Sequence, residues 1–512
     1  IRSMSFPLAV AASVRSPGFY LSVNLLAGVT SPAGGAKRCL LLGTISSAGD
    51  LTADTEIRTS IRGADAAETG FGSGMPAHLA AKALFKEYPL AQVDIAGVAP
   101  PAGVSAAGTF TFTVTPPVTV AVVFNFRIAG RYKQISWNPG ESVTVVAAKV
   151  ATYYTSIQND LPCTVTSALG VVTVTAKEEG TWGNDIEISV TRDAGGLPLD
   201  AVCAASGARL TGGTLVSATA TALAAVAGIE YDYILNVVGG NTDTDTAAAT
   251  SQPALVKAHI NTYNTGASAK LQQAVFGVTG TLAAAKTGSA YINEPTVQFK
   301  LLRGGLSLPA EVGGAEVGRR MRMESADPTV NANGEAYRAT LYPPTNLVTG
   351  ALTESEREDA YQSGVDPMVY DASGSLIVDR PITTHFKDTN GNADDRALDV
   401  AVPTGTYAFA KRIRAALPQE FKGAKLSADL VEGDDPLPPG TVECREIKEF
   451  VIGEARAFVA KGWFDQTFIN AAIDNDEFIA RVNPDDRHQC DLIIPTRVSA
   501  AYLKTSAVVN AQ

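Results

Sequence analysis

Between Gly108 and about Thr214 the chain is almost wholly β in pattern, while on both sides of that block strand and helix signals alternate. Few architectures accept such an order. Residues 109–115 interleave Thr with Phe or Val, and residues 171–175 and 186–190 repeat the alternation with Gly and Pro turns between them. A period of two buries one face of each strand. Inside the block, residues 140–159 are the helical candidate. The flanks behave differently. Residues 37–45 hold the compact apolar strand Cys-Leu-Leu-Leu. Residues 75–88 place Met75, Leu79, Ala83 and Leu84 at helical spacing, and 92–98 are again a strand. After the block, 231–238 and 274–279 suit strands, with a helix at 254–263 between them. This rhythm belongs to a layered α/β (α+β) domain. The expectation is a discontinuous core domain at 29–100 and 216–490, interrupted by a β-rich inserted domain at 101–215.

The ends of the chain suggest extended strand arms. In residues 1–28, the turn Ser16-Pro17-Gly18 precedes Phe19, Leu21, Val23 and Leu25, which alternate with Tyr20, Ser22 and Asn24. With no adjacent hairpin partner, such a strand must pair with something distant or with another chain. Residues 491–512 form the C-terminal strand and arm, with Leu503, Val508 and Val509 among its apolar positions. Before them lies the clearest helix, at 443–461. Ile447, Phe450, Val451, Ala455, Phe458 and Val459 fall on one face, Glu443, Glu446, Glu449 and Glu454 occupy other positions, and Gly462 follows as a cap.

Composition narrows the function classes. A chain of 512 residues with 46% hydrophobic and 18% charged residues can bury a sizeable core in two or three domains. Its net charge of −11 and lack of a basic stripe argue against nucleic-acid binding. The densest basic run, Arg319-Arg320-Met321-Arg322, has acidic residues on both sides and is expected to form a solvated or inter-subunit salt-bridging face. No apolar run approaches the roughly 20 residues that span a bilayer, so membrane insertion is not expected. Residues 6–10 imitate a short signal peptide that Pro7 interrupts, and a translation start at Met4 stays open. Cys39, Cys163, Cys203, Cys444 and Cys490 are scattered and form no C-x-x-C pair. That spacing argues against a disulfide framework or zinc site, and fits small buried hydrophobes in a reducing compartment.

Gly72-Ser73-Gly74-Met75-Pro76 loosely suggests a serine-protease segment, and His78, His259, His385 and His488 are the available bases. A triad needs base and nucleophile within hydrogen-bond reach, and a turn followed by a helix start explains the same residues. Asp388, Asn390, Asn392, Asp394 and Asp399 have the spacing of a calcium loop. Yet Ala393 stands where the sharp-turn Gly belongs, Arg396 intrudes, and no Glu closes the loop. An Asx-rich turn suits them equally. Asp243 and Asp245 fit a polar loop with helix N-cap residues. The pairs Asp394-Asp395, Asp434-Asp435 and Asp485-Asp486 sit in turns, and no phosphate-binding glycine motif occurs. No catalytic residue, metal or cofactor is expected.

A positive signal comes from order. Ser363-Gly364-Val365-Asp366-Pro367 precedes Ile377-Val378-Asp379-Arg380-Pro381-Ile382-Thr383-Thr384, then Asn390-Gly391-Asn392-Ala393-Asp394 and Leu398-Asp399-Val400. Glu179-Gly180-Thr181-Trp182-Gly183-Asn184-Asp185-Ile186 lies upstream, and Asn483-Pro484-Asp485-Asp486-Arg487 downstream of the late helix. Together they resemble contractile phage tail sheath proteins of the Mu-like type. His385 departs from the aromatic expected after Thr384, a matter of packing. The resemblance implies a core named after subtilisin without its catalytic residues, and hexameric rings stacked helically around a tail tube. It implies terminal strands donated to neighbouring subunits, with an inner, tube-side part near 350–490. Implied partners are copies of the chain itself, the tail tube protein, and baseplate and tail terminator proteins. The implied location is the virion, after assembly in the host cytoplasm. By the same analogy the helix carrying Glu443, Glu446 and Glu449 faces the tube, against the plainer reading of a solvated face. Rival readings are a secreted β-rich adhesin or tail-fibre-like protein, and a cryptic hydrolase.

Overall fold

The computed structural model describes residues 21–22, 37–114, 118, 120–193, 201–266, 269–427, 429–430 and 437–499. Its first part runs β1 (Leu21–Ser22), β2 (Arg38–Thr44), β3 (Ile57–Ile61), α1 (Ala64–Phe71), α2 (Pro76–Glu87) and β4 (Gln92–Val98). Next come β5 (Ala107–Val114), β6 (Val122–Ile128), β7 (Arg131–Trp137), α3 (Val143–Ser156), β8 (Cys163–Ala168), β9 (Val171–Ala176), β10 (Ile188–Arg192) and β11 (Ala201–Ala205). The chain continues through α4 (Ala220–Ala225), β12 (Tyr233–Asn236), α5 (Gly240–Thr244), α6 (Gln252–Tyr263), β13 (Thr265–Gly266), β14 (Gln273–Val278) and α7 (Leu282–Ile292). β15 (Val297–Leu301), α8 (Pro309–Glu324), α9 (Leu347–Gly350), α10 (Glu354–Tyr361), β16 (Asp366–Tyr370) and β17 (Leu376–Val378) follow. The last part holds α11 (Ala401–Glu420), β18 (Lys425–Ser427), β19 (Thr441–Glu443), α12 (Cys444–Ala460), α13 (Gln466–Asp474), β20 (Ile479–Val482) and β21 (Cys490–Ile493).

An eight-stranded sheet in the order β17-β16-β15-β14-β12-β2-β4-β3 forms the centre. Its six inner strands run parallel, and β3 and β17 close the edges antiparallel. Parallel strands covered on both faces need continuous apolar runs, which is why Cys39, Leu40, Leu41 and Leu42 are all buried. Cys39 and Leu41 pack with α1 and α2 on one side, while Leu40 and Leu42 meet α4, α6 and α7 on the other.

Strands β5 to β11 form two antiparallel sheets of their own, β10-β6-β7 and β11-β5-β9-β8. Between these sheets Phe110, Phe112, Phe124, Phe126 and Trp137 interlock, with Phe110 and Phe126 edge to face at 5.2 Å. The same apolar cluster continues through Tyr154, Leu161 and Cys163 to Phe71 and Met75. Where the chain enters and leaves this unit, the Thr214 N–H donates to the Val104 carbonyl at 3.2 Å and the Val104 N–H to Thr214 Oγ1 at 3.1 Å.

α8 is pressed between α2 and the sheet. A Cβ at Gly314 or Gly318 would collide with the carbonyl of Ala80 or Leu84 on α2, and one at Gly277 of β14 would collide with the Pro309 carbonyl. Glycine at these positions lets backbone touch backbone.

The first half of α11 is buried against the sheet layer, and its later residues Phe409 and Ile413 join Val451, Phe458, Trp463, Phe464 and Ile469 in a C-terminal core. α12 ends as the sequence predicts. Gly462 has φ +74, its N–H donates to the Val459 carbonyl at 2.9 Å, and the Trp463 N–H reaches back to Phe458 at 3.1 Å. Two small sheets, β18–β19 and β20–β21, flank this helical unit.

Candidate functional site

In an open α/β sheet, ligands bind beyond the carboxyl ends of the strands where strand order reverses. Here that point lies between β2 and β12, because β4 extends the sheet on one side and β12, β14 and β15 on the other. The chain itself fills the crevice. The 3₁₀ turn Thr181–Asp185 enters it with Trp182 buried, and Thr181 Oγ1 donates to the Gly239 carbonyl at 3.0 Å. The Thr181 N–H donates to the Leu215 carbonyl at 2.9 Å, and Ser217 Oγ lies 3.4 Å from Thr44 Oγ1. A cavity of about 10 Å³ beside Leu235, Val238, Phe276 and Pro309 has room for one water at most.

The stopper is fastened by polar groups. Asp185 accepts from the Asn241 N–H at 2.8 Å and from Asn241 Nδ2 at 2.9 Å, and Asn241 Nδ2 also donates to Thr279 Oγ1 at 2.9 Å. Arg209 donates to the carbonyls of Asp185, Thr279 and Gly305, tying the β-rich unit to the ends of β14 and β15. Burial pushes the Asp185 carboxyl up to about 6. Nearby Asp245 rises to about 7, first from burial and then from Asp185. Asp243 of α5 accepts from the Gln252 N–H at 2.6 Å, so it caps the start of α6.

The basic run at 319–322 is not a solvated or inter-subunit face. Arg319 and Arg320 are 2% and 1% exposed. Arg319 Nε donates to Glu316 at 3.1 Å, and Arg320 Nε to Glu324 at 2.7 Å. Arg320 also reaches Gln298 Oε1 at 3.0 Å, Gln273 Oε1 at 2.8 Å and Thr404 Oγ1 at 2.9 Å, joining α8 to β14, β15 and α11. Beside it, Lys300 Nζ donates to Asp366 at 2.6 Å with both side chains fully buried. Burial alone would raise the Glu316 carboxyl, but Arg319 and Lys300 bring it well below the usual range. The signal for this network was in the sequence, since Glu316–Arg319 and Arg320–Glu324 are spaced i,i+3 and i,i+4.

The other motifs are structural joints. Ser73 Oγ donates to the Asn159 carbonyl at 3.2 Å, whereas His78 Nδ1 accepts the Gly74 N–H at 2.8 Å, so their side chains serve different backbone partners. Asp388 Oδ1 accepts the N–H groups of Asn390 and Asn392, an Asx turn. Asp394 pairs with Arg396 at 2.7 Å and His385 at 3.2 Å, and Asp399 with Arg380 at 2.7 Å. The stretch 363–400 seams the sheet edge. Thr384 donates its N–H to Val297, Thr383 donates to Leu398, and Ile382 donates to Asp366.

Phe19, Val23, Leu25, Leu503, Val508 and Val509 lie outside the described residues. Leu21 and Ser22 pair antiparallel with Gly266 and Thr265, a distant segment of the same chain. Glu443 departs from the expectation of an outward acidic face. It is 5% exposed at the N-cap of α12, where Arg445 pairs with it at 2.8 Å. Glu446 and Glu449 are exposed, and Glu454 pairs with Arg412 at 2.6 Å. Arg445 and Arg456 share the exposed surface, so it is mixed in charge.

No family model matches the chain. A curated relative, the "Mu-like prophage FluMu tail sheath protein" of Haemophilus influenzae, is 28% identical over 183 residues, 35% of this chain and 36% of that protein. The match thus spans about a third of that relative's length. Among solved structures, a sheath tail protein from Listeria innocua has 13% identity and a TM-score of 0.42, over 92% of this chain and 96% of its own. One from Desulfitobacterium hafniense has 12% identity and a TM-score of 0.41, over 88% and 91%. The helical sheath of the anti-feeding prophage in its contracted state has 10% identity and a TM-score of 0.41, over 98% and 99%. Across the matched stretch, the chain is similar in sequence to the tail sheath protein of a Mu-like prophage.

Proposed function

We propose that the chain is a structural subunit of the contractile tail sheath of a phage or phage-like particle, with no catalytic role. The observation that carries this reading is the sequence match to a Mu-like prophage tail sheath protein. The self-filled crevice supports it, because the place where an α/β sheet would hold a substrate is occupied by Trp182 and its turn.

Copies of the chain stack as hexameric rings in a helix around the tail tube. Terminal strands cross between neighbours, where backbone hydrogen bonds give affinity with little demand on side chains. β20 and β21 form a two-stranded sheet among the described residues, and such a strand extends it. Contraction moves rigid subunits joined by these links and drives the tube through the host envelope without nucleotide. Tube, baseplate and tail terminator proteins are the other partners, and the sheath assembles in the host cytoplasm before residing in the virion.

Negative-stain electron microscopy tests the reading. The full chain should give striated tubes, and a chain lacking residues 1–26 should fold but give none. Long tubes from the truncated chain would refute strand exchange. An absence of tubes together with hydrolase activity that depends on Ser73 and His78 would refute the structural role itself.

A further inference from the structure

Lys300 of β15 and Asp366 of β16 stand directly opposite each other in the parallel register. Both side chains are fully buried, and Lys300 Nζ lies 2.6 Å from Asp366 Oδ1. Other lysine–carboxylate pairs, such as Lys82 with Asp160 and Lys286 with Asp359, keep both partners in contact with water. The second oxygen, Asp366 Oδ2, accepts from Gln298 Nε2 at 2.6 Å and from the Ile382 N–H at 3.3 Å. Gln298 is itself held in place. Its Oε1 accepts from Arg320 at 3.0 Å, and its Nε2 also donates to Glu316 Oε1 at 2.9 Å. The Tyr337 ring lies 5.8 Å from Lys300 Nζ. Burial raises the Asp366 carboxyl against the pull of Lys300, and the charge of Glu316 adds to the rise. An amine thus meets a carboxyl whose oxygens differ: one faces the amine, and the other rests on two N–H donors.

We propose that Lys300 and Asp366 are a modification site, at which the folded chain condenses the ion pair into an isopeptide bond between Nζ and Cγ with loss of one water. Before closure the pair is ionic. Proton transfer from Nζ to Oδ1 gives a neutral amine and a carboxylic acid, the forms that a site without water favours. The Nζ lone pair then attacks Cγ, and the carbonyl electrons move onto Oδ2, where Gln298 and Ile382 donate to the developing oxyanion. Nζ passes a second proton to the Oδ1 hydroxyl, the Cγ–Oδ1 bond breaks, and Oδ1 leaves as water. Nζ keeps one hydrogen in the amide. No oxidant, metal or nucleotide enters the balance. The paired strands hold amine and carboxyl together, so the condensation is unimolecular. The bond joins neighbouring strands of the central sheet, and its chemistry does not depend on what the chain assembles into.

The full chain is kept folded under native conditions at physiological temperature, and its intact mass is measured before digestion with trypsin. The mass should fall one water below that calculated from the sequence. Trypsin should fail to cut after Lys300, and the digest should contain a branched peptide joining the segments of Lys300 and Asp366. Lys300→Arg keeps the charge, but its guanidinium does not form this amide, so it should retain the calculated mass and give no branched peptide. The branched peptide of the native chain decides the question whether or not that variant folds. A calculated mass that persists on prolonged incubation, cleavage after Lys300 in a chain that has lost one water, or a water loss mapped to other residues would overturn the proposal.

Discussion

Lys300 of β15 and Asp366 of β16 form an ion pair at 2.6 Å with neither side chain exposed to solvent. Asp366 also accepts from Gln298 Nε2 at 2.6 Å and from the Ile382 N–H at 3.3 Å. The pair therefore joins adjacent parallel strands to the segment that follows β17. Burial raises the Asp366 carboxyl to about 6 against the pull of Lys300.

Lys300→Met should destabilise the chain by about 3–5 kcal/mol, the usual cost of stranding one partner of a buried ion pair. Replacing Asp366 as well should recover only part of that loss, because Gln298 and Ile382 would then lack their acceptor. The midpoint of urea unfolding, followed for the single and double variants, measures both effects.

Arg209→Ala should loosen the β-rich unit from the sheet, since three carbonyls lose one shared donor. The expected cost is about 2 kcal/mol, with faster limited proteolysis near residues 206–214. Arg209→Lys should recover little, because an ammonium cannot reproduce the fork of a guanidinium.

The contribution of three buried carboxyls to stability should rise as pH falls from about 8 to about 5, against the opposite trend of His78 and His259, whose burial holds their imidazoles below the usual range. Asp185, Asp243 and Asp245 are held at about 6, 6 and 7, above the ordinary carboxyl range. Asn241 and Arg209 oppose the shift at Asp185, and the Gln252 N–H opposes it at Asp243. The folded chain therefore keeps protons that the unfolded chain releases. This stabilisation is complete below the ordinary carboxyl range and is lost as pH rises through about 6 to 7. Asp245→Asn, which removes a titration without removing a described hydrogen bond, should stabilise by about 1–3 kcal/mol at about pH 8 and change little near pH 4. Thermal unfolding across that range checks the sign.

Glu446→Lys with Glu449→Lys should reduce co-assembly with the tail tube if α12 faces it. Co-sedimentation of the chain with purified tube is the measurement, and undiminished binding would assign α12 to a solvated face.

The periodic elements were legible because burial imposes period on sequence. β4 occupies the residues expected of it, and the helices expected at 75–88 and 443–461 end one residue inside those bounds at each end. Buried polar networks leave no such period. Arg319 and Arg320 carry the charge of a surface, and only pairing with Glu316, Glu324, Gln273 and Thr404 makes their burial tolerable. Glu443 failed as an outward residue because its place at a helix start turned it inward. The Asp185–Asn241 contact joins distant segments, so only the folded chain displays it.

The backbone contacts of Gly314 and Gly318 with α2 have a mechanical consequence. Side chains between helices act as compliant padding, since each can change rotamer and let its neighbours slide by fractions of an ångström. At Gly314 and Gly318 that padding is missing, and the carbonyl oxygens of Ala80 and Leu84 on α2 lie against these glycines of α8. Such a joint has no graded response: it is seated or it is dislodged. A fold built around it can pass a load from α2 to α8 with little displacement absorbed at these two points.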